Sequence, residues 1–450
     1  MTLSSDNAIP MQQGSFYIAV WGCQMNVYDT SRIRSLLLSR GYAEAASPAG
    51  ASVIVLVTCA VRAKAENKVF NQIAAWRHDG AVTPSTVIAL GGCVGTELGH
   101  KIIDAGQGVS VVFSPMTIHR LPDLIEAYRS TGKPVCDVDA GSMEKFDSLP
   151  DSGLHGVSAF VTIMEGCSNK CTYCIVPYTR GEEQSRRPED VLEECRRHIE
   201  NGALEIHLLG QNVNSYRGVD AGGAEWSFPE LLYEVASLDG VRRVRFTTSN
   251  PMDFSPELVQ AIGELPNVAE AVHIPVQSGS DEILRRMHRR YTHDSYLELI
   301  ASLRKVRPEI RISSDFIVGF PGESEHDFEE TMRLVREVRF DQSFSFIYSK
   351  RPGTPAADYP DEVSAHEKKQ RLYALQDLLE GYAREYSQGY LGTEQEVLVE
   401  GASSRDFGEL KARTSANRIA VFKGDPSLIG TQARIRITNV LSHTLRGELI

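Results

Sequence analysis

Short apolar runs alternate with amphipathic stretches through most of this 450-residue chain, and that alternation constrains the fold more than any other feature. Near the start, Phe16–Trp21, Val53–Val57, Val87–Leu90 and Val109–Phe113 have the length and composition of strands. Helical patterns follow over Asp29–Arg40, Lys64–Arg77 and Ile118–Tyr128, with Asp29 and Thr30 available as caps and Gly41 as a stop. Six more strand candidates come next: Ala159–Ile163, Leu204–Leu209, Val241–Thr247, Val268–Ile274, Ile310–Val318 and Gln342–Tyr348. Helices separate them, among them Pro188–Ile199, one opening at Ser255-Pro256, and Glu325–Val338 with an acidic first turn suited to the helix dipole. Parallel neighbours need a crossover, so this order predicts α/β architecture: an open parallel domain over 14–135 and a partial (βα)6 barrel over 153–385. After a helical stretch near Ser364–Tyr386 the pattern becomes short alternating runs separated by turn residues, which predicts a small antiparallel β-barrel over 386–450.

The chain carries eight cysteines, and three of them lie together in Met164-Glu-Gly-Cys167-Ser-Asn-Lys-Cys171-Thr-Tyr-Cys174. Three thiolates can hold three irons of a 4Fe–4S cluster and leave the fourth open to a small molecule, because soft sulfur ligands suit such clusters. A structural zinc site would close with four ligands, and the next cysteine, Cys195, falls in a helical pattern. The C-x3-C-x2-C spacing, with aromatic Tyr173 before the last cysteine, resembles the signature of the radical S-adenosylmethionine (SAM) enzymes. The resemblance implies that SAM chelates the open iron and is cleaved reductively to a 5′-deoxyadenosyl radical.

Three further cysteines each follow a strand candidate: Trp21-Gly-Cys23-Gln-Met-Asn26, Val57-Thr-Cys59-Ala-Val-Arg62 and Gly91-Gly-Cys93-Val. In an open parallel sheet the carboxyl ends of strands share one edge, so cysteines distant in sequence would converge there. Glycines 22, 91 and 92 would let backbone approach a bulky ligand. A buried cysteine is common in any core, but three at equivalent strand ends point to ligation of a second cluster. Cys136 and Cys195 lack such a setting and read as structural thiols.

With these contexts in place, the chain resembles the methylthiotransferase branch of the radical SAM enzymes, also through Cys174-Ile-Val-Pro-Tyr-Thr-Arg-Gly-Glu182 and Leu209-Gly-Gln-Asn-Val-Asn-Ser-Tyr216. The resemblance runs from about residue 14 to the C-terminus and is strongest to members that methylthiolate C2 of N6-isopentenyladenosine beside the anticodon of tRNA. It implies a cluster for SAM cleavage on Cys167, Cys171 and Cys174, and an auxiliary 4Fe–4S cluster on Cys23, Cys59 and Cys93 that presents a sulfur methylated by a separate SAM. It also implies an electron donor such as a flavodoxin or ferredoxin. By position, SAM contacts are expected from Tyr173, Arg186 (or Arg180), Gly210, Gln211, Ser278 and Gly319, although the acidic residue usual in the glycine-rich element is missing at 210–212. Arginine's fork suits a carboxylate, which is the reason for naming Arg186.

Net charge of −12 argues against a generic nucleic-acid coat, yet binding reads the local field. Residues 391–450 hold eight Lys/Arg against seven Asp/Glu, and that less acidic barrel resembles the TRAM-like RNA-binding domain of tRNA-modifying enzymes. The densest basic run, Arg285-Arg286-Met-His-Arg289-Arg290, suggests phosphate contacts, with a solvated helix end as the alternative. No apolar run nears the ~18 residues of a membrane helix, and the polar N-terminus lacks a signal core, so a cytoplasmic protein is expected. The rivals are a methylthiotransferase for a ribosomal-protein aspartate or another modified tRNA adenosine, and, more distantly, an iron–sulfur RNA-binding or electron-transfer protein without turnover.

Overall fold

The computed structural model describes residues 13–59, 64–139 (for 64–67 the backbone alone), 146, 150, 156–404, 408–441 and 443–450. The polar N-terminal stretch before residue 13 and Ala60-Val-Arg62 of the second cysteine motif lie outside the described residues. The chain divides into two compact units, Met1–Gly153 with Ile175–Glu182, and Leu154–Cys174 with Glu183–Ile450. The sequence suggests three segments, and the second unit carries the last two of them.

In the first unit, strands β1 (Ser15–Trp21), β2 (Ala43–Glu44), β3 (Val53–Thr58), β4 (Val87–Gly92), β5 (Val111–Phe113) and β6 (Val135–Asp137) form a parallel sheet in the order β2-β1-β3-β4-β5-β6. The short edge strands β2 and β6 carry too few apolar residues to be read from pattern alone. Alternate β3 residues feed opposite faces: Val53, Val55 and Val57 pack with Phe16, Ile33 and Phe113, whereas Ile54 and Leu56 pack with Val69, Ile73 and Leu90. Burial on both faces is the reason these strands read as unbroken apolar runs. The first helix runs Gln24–Ser39, with Cys23 in the N-cap position. It therefore begins earlier than the expected Asp29, which is buried inside the helix and bonded to Arg180 instead of capping. Gly41, in left-handed backbone at φ 84°, follows its end as expected.

In the second unit, β7 (Ser158–Thr162) leads into a small antiparallel pair, β8 (Met164–Glu165) with β9 (Gln184–Ser185). Strand β10 (Glu205–Leu209) pairs in parallel with β7 on one side. A hairpin, β11 (Arg217–Val219) with β12 (Glu225–Ser227), follows before β13 (Arg243–Thr247), which pairs in parallel with β10. The rest of the partial barrel is β14 (Ala271–His273), β15 (Arg311–Ser313), β16 (Asp315–Val318) and β17 (Phe344–Ile347), paired β14 with β15 and β16 with β17. Single bridges from Val268 to Val244 and from Gln277 to Phe316 continue the sequence of neighbours. The expected strand Ile310–Val318 is split at buried Ser314, whose hydroxyl accepts from Val276 N and donates to Ile274 O. Helices Pro188–Glu200, Pro256–Glu264 and Glu325–Val338 lie where the pattern places them, the last two capped by Ser255 and Ser324.

After the helix Ala365–Gln388, strands β18 (Glu394–Ala402), β19 (Glu409–Thr414), β20 (Ile419–Lys423), β21 (Gln432–Val440) and β22 (Thr444–Leu449) close a barrel in the order β18-β19-β20-β22-β21. Its interior holds Val397, Val399, Leu410, Phe422, Ile435, Ile437 and Leu445. A buried charge cluster fastens it to the core. Arg245 donates to Glu205 at 2.8 Å and to the Thr414 carbonyl at 2.7 Å, while Arg243 reaches the Arg413 and Thr414 carbonyls at 3.1 and 3.2 Å. Burial alone would raise the Glu205 carboxyl, but Arg245 and Arg243 hold it down at about 2. Because that lies below the ordinary value of 4.5, the clamp is at full strength above 4.5 and is lost only as pH falls through about 2. Glu205→Gln, which leaves two guanidinium groups buried without their carboxylate, is expected to cost about 3–5 kcal/mol. Thermal unfolding at neutral pH measures it, and a melting point equal to that of the parent would refute the clamp.

Candidate functional site

Register brings the first three cysteines together. Trp21 on β1 is paired with Thr58 on β3, and Thr58 with Gly92 on β4, so three neighbouring strands end at one level. Cys23, Cys59 and Cys93 follow directly at that edge, and Cys59 N donates to the Trp21 carbonyl at 3.0 Å. Cys59 and Cys93 are buried while Cys23 is exposed. A hydrogen bond from Cys59, together with the Arg180 guanidinium, pulls the Cys23 thiol down to about 6. Arg180 is buried and bonds Asp29 at 2.9 Å beside this cysteine edge. Crowding explains the glycines. A Cβ at Gly22 would stand 2.8 Å from the Cys59 Cβ, and one at Gly92 2.3 Å from the Thr58 carbonyl oxygen. Gly92 has φ 81° and ψ −170°, a backbone region essentially reserved for glycine.

In the second unit the loop bearing Cys167, Cys171 and Cys174 follows β7 and β8, at the carboxyl end of the first barrel strand, where such barrels place their chemistry. Gly166, at φ 74°, turns the chain into it. Among the described residues no three ligand-type side chains close around one point as a single metal ion would require. A four-iron cluster makes a different demand, since each thiolate binds its own iron and the three sulfurs stand farther apart. Three thiols on one glycine-led loop, all partly accessible, fit that demand. Burial pushes the Cys167 thiol up, a cost that ligation of the thiolate removes.

The loop is held by the basic run Arg285–Arg290, for which the sequence suggests either phosphate contacts or a solvated helix end. Thr172 donates from N to the Met287 carbonyl at 3.1 Å and from its hydroxyl to the Arg286 carbonyl at 2.9 Å. His288 Nδ1 lies 2.9 Å from the Lys170 carbonyl, and Arg290 donates to Asn169 Oδ1 at 3.4 Å. Arg289 donates to Cys171 Sγ at 3.4 Å. The run is thus no uniform phosphate patch: Arg285 is exposed and paired with Glu282, Arg286 lies over Gly322, and Arg289 and Arg290 face the cysteine loop. The sequence does contain a signal, because fully buried Met287 in the middle of the run is incompatible with a wholly solvated helix end.

The expected SAM-contact residues separate into two groups. Tyr173 packs edge-on against Phe320, their ring centroids 6.4 Å apart, beside the apolar cluster of Ile283, Met287 and Tyr348. Gln211, just past the end of β10, has both amide atoms shielded from solvent and without a partner among the described residues, an unusual state for a buried amide. Gly210 lets that strand end pass Met164, whose Cγ a Cβ would meet at 2.5 Å. Gly319, at φ 65°, ends β16 in a turn and donates its N–H to Glu323 at 2.7 Å. Two residues are engaged elsewhere. Arg186 is buried and bonds Glu194 and the Thr162 carbonyl, both at 2.7 Å, which makes it a clasp between β7 and the following helix. Ser278, fully buried, meets Thr331 at 3.2 Å and ties its loop to the helix Glu325–Val338. Cys195 is fully buried in the barrel core, and burial drives its thiol upward.

Three family models match the chain: Uncharacterized protein family UPF0004 over residues 15–114, Radical SAM superfamily over 161–335, and TRAM domain over 388–450. A partial parallel barrel with a three-cysteine loop at its first strand end, matched by the superfamily model, defines a radical SAM enzyme. The chain is 50% identical to the tRNA-2-methylthio-N(6)-dimethylallyladenosine synthase of Vibrio vulnificus strain CMCP6, over 96% of this chain and 92% of the relative. The synthases of Histophilus somni strain 129Pt and Haemophilus influenzae strain PittGG match at 50% and 49% over the same shares. The chain belongs to the family of tRNA-2-methylthio-N(6)-dimethylallyladenosine synthases. Membership in the radical SAM superfamily brings SAM and a 4Fe–4S cluster as cofactors.

Among solved structures the fold resembles the radical SAM methyltransferase TsrM from Kitasatospora setae, solved with cobalamin and a [4Fe-4S] cluster, at TM-score 0.53 and 14% identity over 77% of each chain. The cobalamin-dependent radical SAM enzyme OxsB matches at TM-score 0.51 and 12% identity, over 82% of this chain and 56% of that one. Among the described residues no helix is long and apolar enough to cross a membrane. Gly92→Ala is expected to cost about 1–3 kcal/mol in backbone strain. If the edge it shapes holds a cluster, reconstituted iron should also fall by roughly half, since two equal clusters would share it. Iron analysis and a thermal melt measure both effects, and full iron loading with unchanged stability would refute this account of the glycine.

Proposed function

We propose that the chain installs a methylthio group on C2 of N6-dimethylallyladenosine beside the anticodon of tRNA. The observation that carries this is the coexistence, in a chain half identical to the named synthases along nearly all its length, of two cysteine triads at strand ends. The C2–H bond of adenine is neither acidic nor a leaving group, so polar substitution there is poor and cofactor-borne radical chemistry is the sensible route. When bound, SAM and the clusters supply the abstracting radical and the sulfur.

The chain's own residues supply placement. Cys167, Cys171 and Cys174 hold one cluster in the barrel, and Cys23, Cys59 and Cys93 hold the auxiliary one. Tyr173, Gln211 and Gly319 sit on the SAM side of the barrel mouth, and Gln211's unpartnered amide gains a polar partner if the strand end shifts when SAM binds. The hydrogen bond from Cys59 and the nearby Arg180 guanidinium favour the Cys23 thiolate, the form that binds iron. The C-terminal barrel, matched as a TRAM domain, contributes RNA binding. A low-potential electron donor such as a flavodoxin or ferredoxin completes the system.

The test is mass spectrometry of nucleosides from dimethylallylated tRNA incubated with reconstituted, reduced protein and SAM. A new 2-methylthio adenosine supports the reading. 5′-Deoxyadenosine without modified tRNA would overturn the substrate and redirect attention to a ribosomal-protein aspartate or another adenosine. Cys23→Ala is expected to abolish methylthiolation while leaving reductive SAM cleavage measurable, and equal loss of both would refute separate roles for the two triads.

A further inference from the structure

Arg289 is half-buried and bonds no carboxylate among the described residues. Arg180, Arg186, Arg245, Arg371 and Arg418 each pair with a carboxylate: Asp29, Glu194, Glu205, Glu323 and Asp341. The polar partners of Arg289 are Cys171 Sγ at 3.4 Å, the Pro275 carbonyl at 2.9 Å and the Tyr291 hydroxyl at 2.8 Å. None is an acid, so its charge is not cancelled by an ion pair among the described residues. Tyr291 fixes the geometry: its hydroxyl accepts from Arg289 Nε and donates to the Val276 carbonyl at 2.8 Å, while its ring lies 5.2 Å beneath the guanidinium carbon. The cation is therefore locked in place, aimed at one sulfur of the three-cysteine loop.

We propose that Arg289 is a positioning residue that sets the reduction potential of the cluster held by Cys167, Cys171 and Cys174. The proposal rests on that ligand assignment. A one-electron reduction adds a negative charge to the cluster and its thiolates. A fixed, uncompensated cation bonded to a ligand sulfur favours the more negative state and raises the potential, and hydrogen bonds to cluster sulfurs act in the same direction. The same contact lowers repulsion among the thiolates before iron arrives. The basic run thus contains a residue that works on the cluster while its neighbours hold the loop.

The test is an EPR-monitored redox titration of the reconstituted full-length protein, following the signal that changes when SAM is added. Arg289→Met should keep that signal and make reduction at least tenfold less favourable, which is about 59 mV lower for a one-electron couple. Arg289→Lys, which retains the charge without the planar fork, and Tyr291→Phe, which frees the guanidinium, should each give a smaller shift of the same sign. A Met variant titrating at the parental potential overturns the proposal. If the Met variant binds no iron, the other two decide: a lowered potential in either supports it, and parental potentials in both overturn it. Cys171→Ala is the separate control. A SAM-responsive signal surviving in that variant would sink the ligand assignment itself, whatever Arg289 does.

Discussion

A parallel strand can be followed by another only after a crossover, and that constraint organises the sheet of the first unit and the partial barrel of the second. It sends every strand of a sheet the same way, so all the strand-to-helix loops collect on one edge. In the first unit the pairing of Trp21, Thr58 and Gly92 places three strand ends at one level, and the cysteines need only follow them. In the second unit the same rule gathers the cysteine loop after β7 and β8, Gly210-Gln211 after β10 and Gly319 after β16 at strand carboxyl ends. Chemistry is then a matter of which residues occupy those loops.

Buried charge is the second organising force. A guanidinium removed from water must find partners, and most of the buried arginines here find a carboxylate on a neighbouring element: β7 is clasped to the following helix through Arg186 and Glu194, and the barrel is clamped to the core through Glu205 with Arg243 and Arg245. Such pairs add little net stability, because desolvation offsets attraction, but breaking one is costly, and this makes them fix geometry. Half-buried Arg289 is held instead by carbonyl, hydroxyl and sulfur acceptors, and so retains a field directed at Cys171.

The placement of the candidate cluster cysteines is legible in the sequence. Both cysteine triads follow from spacing and strand ends, and the elements that carry them fall close to where periodicity places them. Where side-chain partners differ from what position in sequence suggests, the cause is shared. Arg186, Arg180, Ser278 and the basic run are polar residues near the right loops, and pattern reports nearness in sequence but not direction. Arg186 turns inward to Glu194 and Arg180 to Asp29. Ser278 faces Thr331, 53 residues away along the chain. The helix expected from Asp29 begins at Gln24, and Asp29 lies inside it, bonded to a partner 151 residues distant.

Local sequence by itself determined the alternation of strand and helix, hence parallel α/β architecture, and the positions of the six cysteines relative to strand ends. It did so because backbone geometry and apolar periodicity are local properties, legible within a window of a few residues. Tertiary structure alone decided which charges neutralise one another, that Gly92 must be glycine because Thr58 passes beneath it, and that Arg285–Arg290 divides between solvent and the cysteine loop. Those outcomes depend on contacts between residues far apart in sequence, where desolvation and hydrogen-bond geometry select one partner among many.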